Sequence, residues 1–101
     1  MTEIVISKSN KKDKKYDARI DGKKTISFGA KKNGKPMDDY TITKDDEQKK
    51  RYLDRHRKNE NPNDHNTASF YSTNLLWNKK TLTASIRDTN SKFKNIKIKY
   101  A

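Results

Sequence analysis

The sequence predicts an α+β fold: a small antiparallel sheet of about four strands packed against two or three short helices. Three observations carry that prediction. Four segments alternate apolar and polar residues as half-buried strands do. Later segments join a capping residue to apolar side chains at helical spacing. The apolar supply is small, 16 Leu, Ile, Val and Phe among 101 residues set against a formal charge of +12, which places the chain near the border between folded and disordered proteins. Such a chain supports one thin core. It therefore reads as a single small basic domain over residues 1–101, with exposed basic loops near 8–15 and 29–39.

The first strand covers Thr2 to Ser7, where Ile4 and Ile6 share one face and Val5 and Ser7 the other. The lysine-rich run Lys8 to Lys15 breaks the pattern and reads as an exposed loop. Tyr16, Ala18 and Ile20 then alternate with Asp17 and Arg19, and after Asp21-Gly22 the residues Ile26 and Phe28 alternate with Thr25 and Ser27. This is a hairpin signature. Opposed residues project to one face, so a two-residue Asp21-Gly22 loop would split the apolar set. A three-residue loop, Ile20 to Gly22 or Asp21 to Lys23, keeps Tyr16, Ala18, Ile20, Ile26 and Phe28 together. Residues 29–39, with two glycines, a proline and little apolar content, read as a loop. Ile96, Ile98 and Tyr100 alternate with lysines and form a strand able to pair with the first. Edges on the Ile4 or Ile96 strand are open to another chain, although Lys97 and Lys99 blunt the latter.

A first helix is predicted from about Lys44 to Lys58, with Thr43 as its cap in the pattern Thr43-Lys44-Asp45-Asp46 and acids preceding bases along the macrodipole. Its inward residues are Tyr52, Leu53 and His56. A second helix spans about Thr67 to Trp77, capped by Asn66 or Thr67. It carries Ala68, Tyr71, Leu75 and Leu76 on one side and Phe70, Asn74 and Trp77 on the neighbouring face. The third runs from about Leu82 to Lys92 with Thr81 as cap.

Absence of cysteine removes disulfides and thiolate zinc sites and favours a reducing compartment. No signal-peptide pattern or membrane-length apolar run is present, so the expectation is a chain that is neither secreted nor membrane-spanning. The charge points to acidic partners. Of 25 basic residues, 20 are lysine, a hydrated point charge suited to phosphate backbone or an acidic protein surface rather than to base-edge readout. The candidate polyanion-binding residues are Lys49, Lys50, Arg51, Arg55, Arg57 and Lys58 on the first helix, supported by Lys31, Lys32 and Lys35 from the 29–39 loop. Phe70, Tyr71 and Trp77 are able to stack on bases, yet in so small a core they read first as packing residues.

Catalysis finds little support. His56 and His65 lie near Asp54 and Asp64, but their spacing does not converge on a metal site. The Asp38-Asp39 pair reads as a spacer between basic segments. Neither a Gly-x-Ser-x-Gly elbow nor a phosphate-binding glycine loop occurs. The expectation is a non-enzymatic chain with no cofactor and no small-molecule substrate.

One resemblance adds to this reading. The blocks Lys15-Tyr16-Asp17-Ala18-Arg19-Ile20-Asp21-Gly22-Lys23-Lys24-Thr25-Ile26-Ser27-Phe28-Gly29, Asp39-Tyr40-Thr41, Lys50-Arg51-Tyr52-Leu53-Asp54-Arg55-His56, Leu75-Leu76-Trp77-Asn78-Lys79 and Leu82-Thr83-Ala84-Ser85-Ile86-Arg87-Asp88 resemble a small family of uncharacterised proteins of nucleocytoplasmic large DNA viruses. The resemblance covers about residues 15–93 and departs at 59–66. It implies a setting rather than a mechanism: the virion and the host-cell interior, in cytoplasm or viral factory. Two functions are then expected in order. The first is a structural, minor capsid or virion-associated component contacting virion proteins of the capsid lattice or the packaged genome. The second is a free nucleic-acid-binding protein of viral replication or transcription.

Overall fold

Strand alternation places one apolar residue in two on a single face, and the register of the sheet lines these residues up across it. The structure is a computed structural model, and it describes residues 1–57 and 64–101, the side chains of 56 and 57 excepted. Strands β1 (Thr2–Lys8), β2 (Lys14–Ile20), β3 (Lys24–Lys32), β4 (Lys35–Pro36) and β5 (Ile96–Tyr100) form one sheet in the order β4-β3-β2-β1-β5. Ile4 pairs with Ile20, Ile6 with Ala18, Tyr16 with Phe28 and Ala18 with Ile26. Their shared face is the core face. The β2–β3 loop is the three-residue Asp21 to Lys23, with Ile20 opposite Lys24, as the parity of the apolar residues requires. The α+β architecture is thus the expected one.

Three features of the sheet differ from the expected set. The first is a fifth strand: β3 continues to Lys32 and turns back through Asn33-Gly34 onto β4, with Lys32 opposite Lys35. Asn33 and Gly34 both have positive φ, 54° and 79°, the backbone that a tight two-residue hairpin demands. Residues 29–39 are therefore largely a lysine-bearing hairpin, not a loop. Second, β5 pairs β1 in parallel, with Ile98 opposite Ile4, so the sheet is mixed. The Ile4 strand lies inside it and has no free edge. Third, the β5 edge is plugged in its middle. Asn90 Oδ1 accepts from the Ile98 N–H at 2.8 Å and its Nδ2 donates to the Ile98 carbonyl at 2.9 Å, taking the place of a neighbouring strand.

The helices are α1 (Tyr40–Thr43), α2 (Asp46–Arg57), α3 (Ala68–Tyr71), which runs on into a π-helical turn (Ser72–Leu76), and α4 (Leu82–Lys92). Thr67 and Thr81 cap α3 and α4 through their hydroxyls, which accept from the Phe70 and Ala84 N–H groups. The α2 cap is Asp45 rather than Thr43. Its carboxylate accepts from Glu47 N–H at 3.0 Å and Gln48 N–H at 3.3 Å, whereas Thr43 closes the unforeseen turn α1 and Lys44 crosses into the left-handed region. Asp39 starts that turn by accepting from Thr41 N–H at 2.8 Å. The end of the first predicted helix beyond residue 57 lies outside the described residues.

Phe70, Tyr71, Leu75 and Leu76 come from α3 and the π turn and close over the apolar sheet face, all 2% exposed or less. Aromatic contacts knit this layer: Phe28 stacks on Tyr71 at 5.4 Å, and Phe70 meets Phe93 edge-on at 5.2 Å. A polar seam joins the π turn to α4. Thr89 Oγ1 donates within reach of the Asn74 carbonyl at 3.2 Å and the Ser85 carbonyl at 2.8 Å, and Ser85 Oγ accepts from Lys79 N–H. These buried hydroxyls are satisfied, as buried polar groups must be.

A candidate anion-binding cleft

Lysine 15 should project from the polar face of β2, because Tyr16 occupies the core face. Instead it is 7% exposed. The reason lies opposite it. Between the Lys14–Ala30 and Tyr16–Phe28 pairs, Gly29 adopts φ +77°. A Cβ on Gly29 would stand 2.9 Å from Lys15 Cβ and 3.0 Å from Leu76 Cδ1, closer than such atoms approach. Glycine is required there by both backbone and space. The room it leaves takes the Lys15 stem, whose ammonium donates to the Asp39 carboxylate and to the Met37 carbonyl. Lys15 and Asp39 form a buried ion pair, with side chains 7% and 3% exposed.

Above this pair opens a cleft of about 900 Å³ between α2 and the β2–β4 end of the sheet. Arg51, Tyr52 and Arg55 of α2 line one wall, Lys14 and Lys15 the sheet side, Pro36 to Asp39 the rim, and Ala68, Leu76 and Trp77 the far side. Helical spacing explains the first wall, since residues 51, 52 and 55 fall on one face. Tyr52 stacks on Trp77 at 4.4 Å with the rings 8° from parallel, which fixes α2 against the end of the π turn.

The predicted polyanion-binding residues divide here. Lys49 is engaged by the fold: its ammonium donates to the Asn78 carbonyl at 2.6 Å and lies 4.9 Å from the centre of the Tyr40 ring. It drops out of the surface set. Lys50 points to solvent beside Asp54 at 3.4 Å. Arg51 approaches Glu47 only to 3.9 Å. Arg55 is exposed and has no ion pair among the described residues. Lys31, Lys32 and Lys35 stand on the β3–β4 hairpin, without ion pairs among the described residues. The Arg57 side chain and Lys58 lie outside the described residues, as does the His56 side chain.

Of the three aromatic side chains able to stack on bases, Phe70 and Tyr71 are wholly buried. They are core residues. Burial pushes the Tyr71 hydroxyl well above the usual phenol range. Trp77 alone reaches the cleft, and one of its faces is taken by Tyr52. The Asp38-Asp39 spacer resolves into one carboxylate buried against Lys15 and one exposed at the cleft rim. Sequence reasoning missed the Lys15–Asp39 pair, because alternation places Lys15 outward. Gly29 was the available signal, since an isolated glycine in a strand pattern marks close approach.

Fold and cleft together define a small α+β module whose exposed cations gather beside a partly apolar hollow. The chain belongs to a family of unknown function (DUF5754), whose model matches residues 4–56. The match runs from β1 to α2 and includes Lys15, Gly29, Asp39, Arg51 and Arg55. No curated protein and no solved structure matches the chain. No described helix is long and apolar enough to cross a membrane.

Proposed function

We propose that this chain is a non-enzymatic basic module that binds the phosphate backbone of nucleic acid, as a structural component of a large DNA virus particle in contact with the packaged genome. One observation carries the nucleic-acid part: the fold engages Lys15 and Lys49 internally but leaves Arg55 and the hairpin lysines without ion pairs among the described residues, and holds Arg51 exposed with Glu47 no nearer than 3.9 Å. A cation that served stability would be paired or covered; one that serves a polyanionic partner must stay accessible. The particle setting is supported by the resemblance of residues 15–93 to small proteins of large DNA viruses. Under the same reading, the protein is found in the virion and in the host-cell interior.

The test is a salt titration of binding to duplex DNA. Contact with phosphates releases counterions, so log affinity should fall by about 0.9 per neutralised phosphate against log salt. Charge reversal at Lys50, Arg51 and Arg55 should weaken binding by orders of magnitude and flatten that slope, while circular dichroism stays unchanged. Binding that survives the reversal at equal salt removes this surface from the function. A second reading, contact with the capsid lattice, predicts weak binding to nucleic acid and recovery of the protein with capsid after genome release.

A further inference from the structure

The cleft is more than a charged surface, and its lining selects among polyanions. Resting on the polyanion reading above, we propose that it takes a single splayed nucleotide of single-stranded nucleic acid, its phosphate held by Arg51, Arg55 and Lys14 and its base laid against the apolar lining of Pro36, Met37 and Trp77. Four observations converge. Three of the chain's five arginines lie in α2, and two of these, one helical turn apart, line the cleft. A guanidinium fork binds phosphate oxygens in bidentate fashion where an ammonium does not. Because Lys15 and Asp39 neutralise each other, Asp38 is the one remaining acid among the described residues that line the cleft, against Lys14, Arg51 and Arg55. Glu47 stands 3.9 Å from Arg51 outside that lining, and the cleft attracts an anion.

The apolar lining is the third observation. Met37 is 49% exposed although it is a large apolar residue, and it lines the rim of the cleft with Pro36, while Trp77 lines the far side. Unstacked bases cover such surfaces with their flat faces. The fourth is size: about 900 Å³ falls within the roughly 300–1,000 Å³ of small-ligand pockets. A base stacked and paired in a duplex enters only after unstacking and unpairing, a free-energy cost that a single strand avoids. Asp38 adds a preference, because a carboxylate accepts from a base amino group and repels bare phosphate. An inorganic polyanion meets the arginines but leaves the apolar lining uncovered.

Fluorescence anisotropy of the full chain with short oligodeoxycytidylate, with a duplex and with inorganic polyphosphate tests this, using two variants. Ala68→Trp fills the cleft from an exposed position on its far side. Arg51→Gln combined with Arg55→Gln removes the phosphate fork. The expected result is single-strand affinity above duplex affinity in the wild type. Both variants should lose about tenfold or more of it, which is about 1.4 kcal/mol. Ala68→Trp should leave polyphosphate binding as it was. Single-strand binding unchanged in Ala68→Trp overturns the cleft while leaving the polyanion reading intact, and so does equal binding of single strand and duplex. Failure of the wild type to bind all three probes overturns both.

Discussion

Two lysine–aspartate pairs in this chain have the same chemistry and opposite surroundings. Lys15–Asp39 is buried between β2 and the start of α1, with both side chains 7% exposed or less. Lys92–Asp88 lies on the surface of α4 at 2.9 Å, with side chains 56% and 24% exposed. In the first, removing either partner leaves a largely buried charge that water at the base of the cleft reaches poorly. In the second, solvent replaces whatever is lost. The difference shows how a chain with a formal charge of +12 sorts its cations. Some are structural parts, fixed by carboxylates and carbonyls in the interior. The rest remain at the surface, and Arg51 and Arg55 stand at the boundary, lining the cleft that opens above the buried pair.

The largest effect that breaks the comparison is expected from Asp39→Ala. This change leaves the Lys15 ammonium buried without its carboxylate and removes the cap on Thr41 N–H. Loss of one partner of a buried pair costs about 3–5 kcal/mol, and a lost cap adds about 1 kcal/mol. Chemical denaturation followed by circular dichroism measures it. In a chain whose core is this thin, that sum is a large part of total stability. A loss under about 1 kcal/mol would show that Lys15 escapes to solvent and that the cleft floor is not fixed.

Gly29→Ala sharpens the same point without touching a charge. A methyl group there meets Lys15 Cβ at 2.9 Å and sits on a backbone at φ +77°. Strain of this kind costs about 1–3 kcal/mol. Gly22, also at positive φ, has nothing within 4 Å, so Gly22→Ala carries the backbone penalty alone. The stability gap between the two variants, read from matched denaturation curves, isolates the packing of Lys15 against β3.

Most of the fold was legible, and the reason differs from element to element. Alternation exposed β1, β2, β3 and β5 because each buries one face only. The parity of Tyr16, Ala18, Ile26 and Phe28 was enough to choose a three-residue loop, and the structure selects Asp21 to Lys23 over Ile20 to Gly22. Thr67 and Thr81 announced α3 and α4 because each is followed by apolar residues at helical spacing. The Asn33-Gly34 turn was missed although that dipeptide is a hairpin signal, since lysines flank it and no apolar alternation drew attention to β4. The caps Asp39 and Asp45 were missed for a related reason: caps act through single side chains, and for α2 three candidates, Thr43, Asp45 and Asp46, compete on paper. Of the candidate site, Arg51 and Arg55 were legible as charge and spacing on α2. The cleft itself was not. It exists because α2, β2, the β4 end and the π turn converge, and a convergence of residues 14–15, 36–39, 51–55 and 68–77 leaves no local trace in sequence.

The smallest expected effect comes from the exposed pair and depends on pH. The hydrogen bond from Asn78 Nδ2, at 2.8 Å, and the neighbouring Lys92 hold the Asp88 carboxyl below its ordinary value. A carboxyl whose pKa is depressed in the folded state binds its proton more readily when unfolded, near pH 4. Its contribution to stability is therefore complete above that pH and is lost as pH falls through the lower, folded value. Screening keeps that contribution under about 1 kcal/mol. Thermal unfolding of the wild type and of Asp88→Asn should differ slightly at pH 7, and the two should converge as the pH drops below about 4. A difference that persists unchanged into acid would assign the effect to the Asn78 contact rather than to charge. It would also place Asp88 closer in character to Asp39 than its exposure implies.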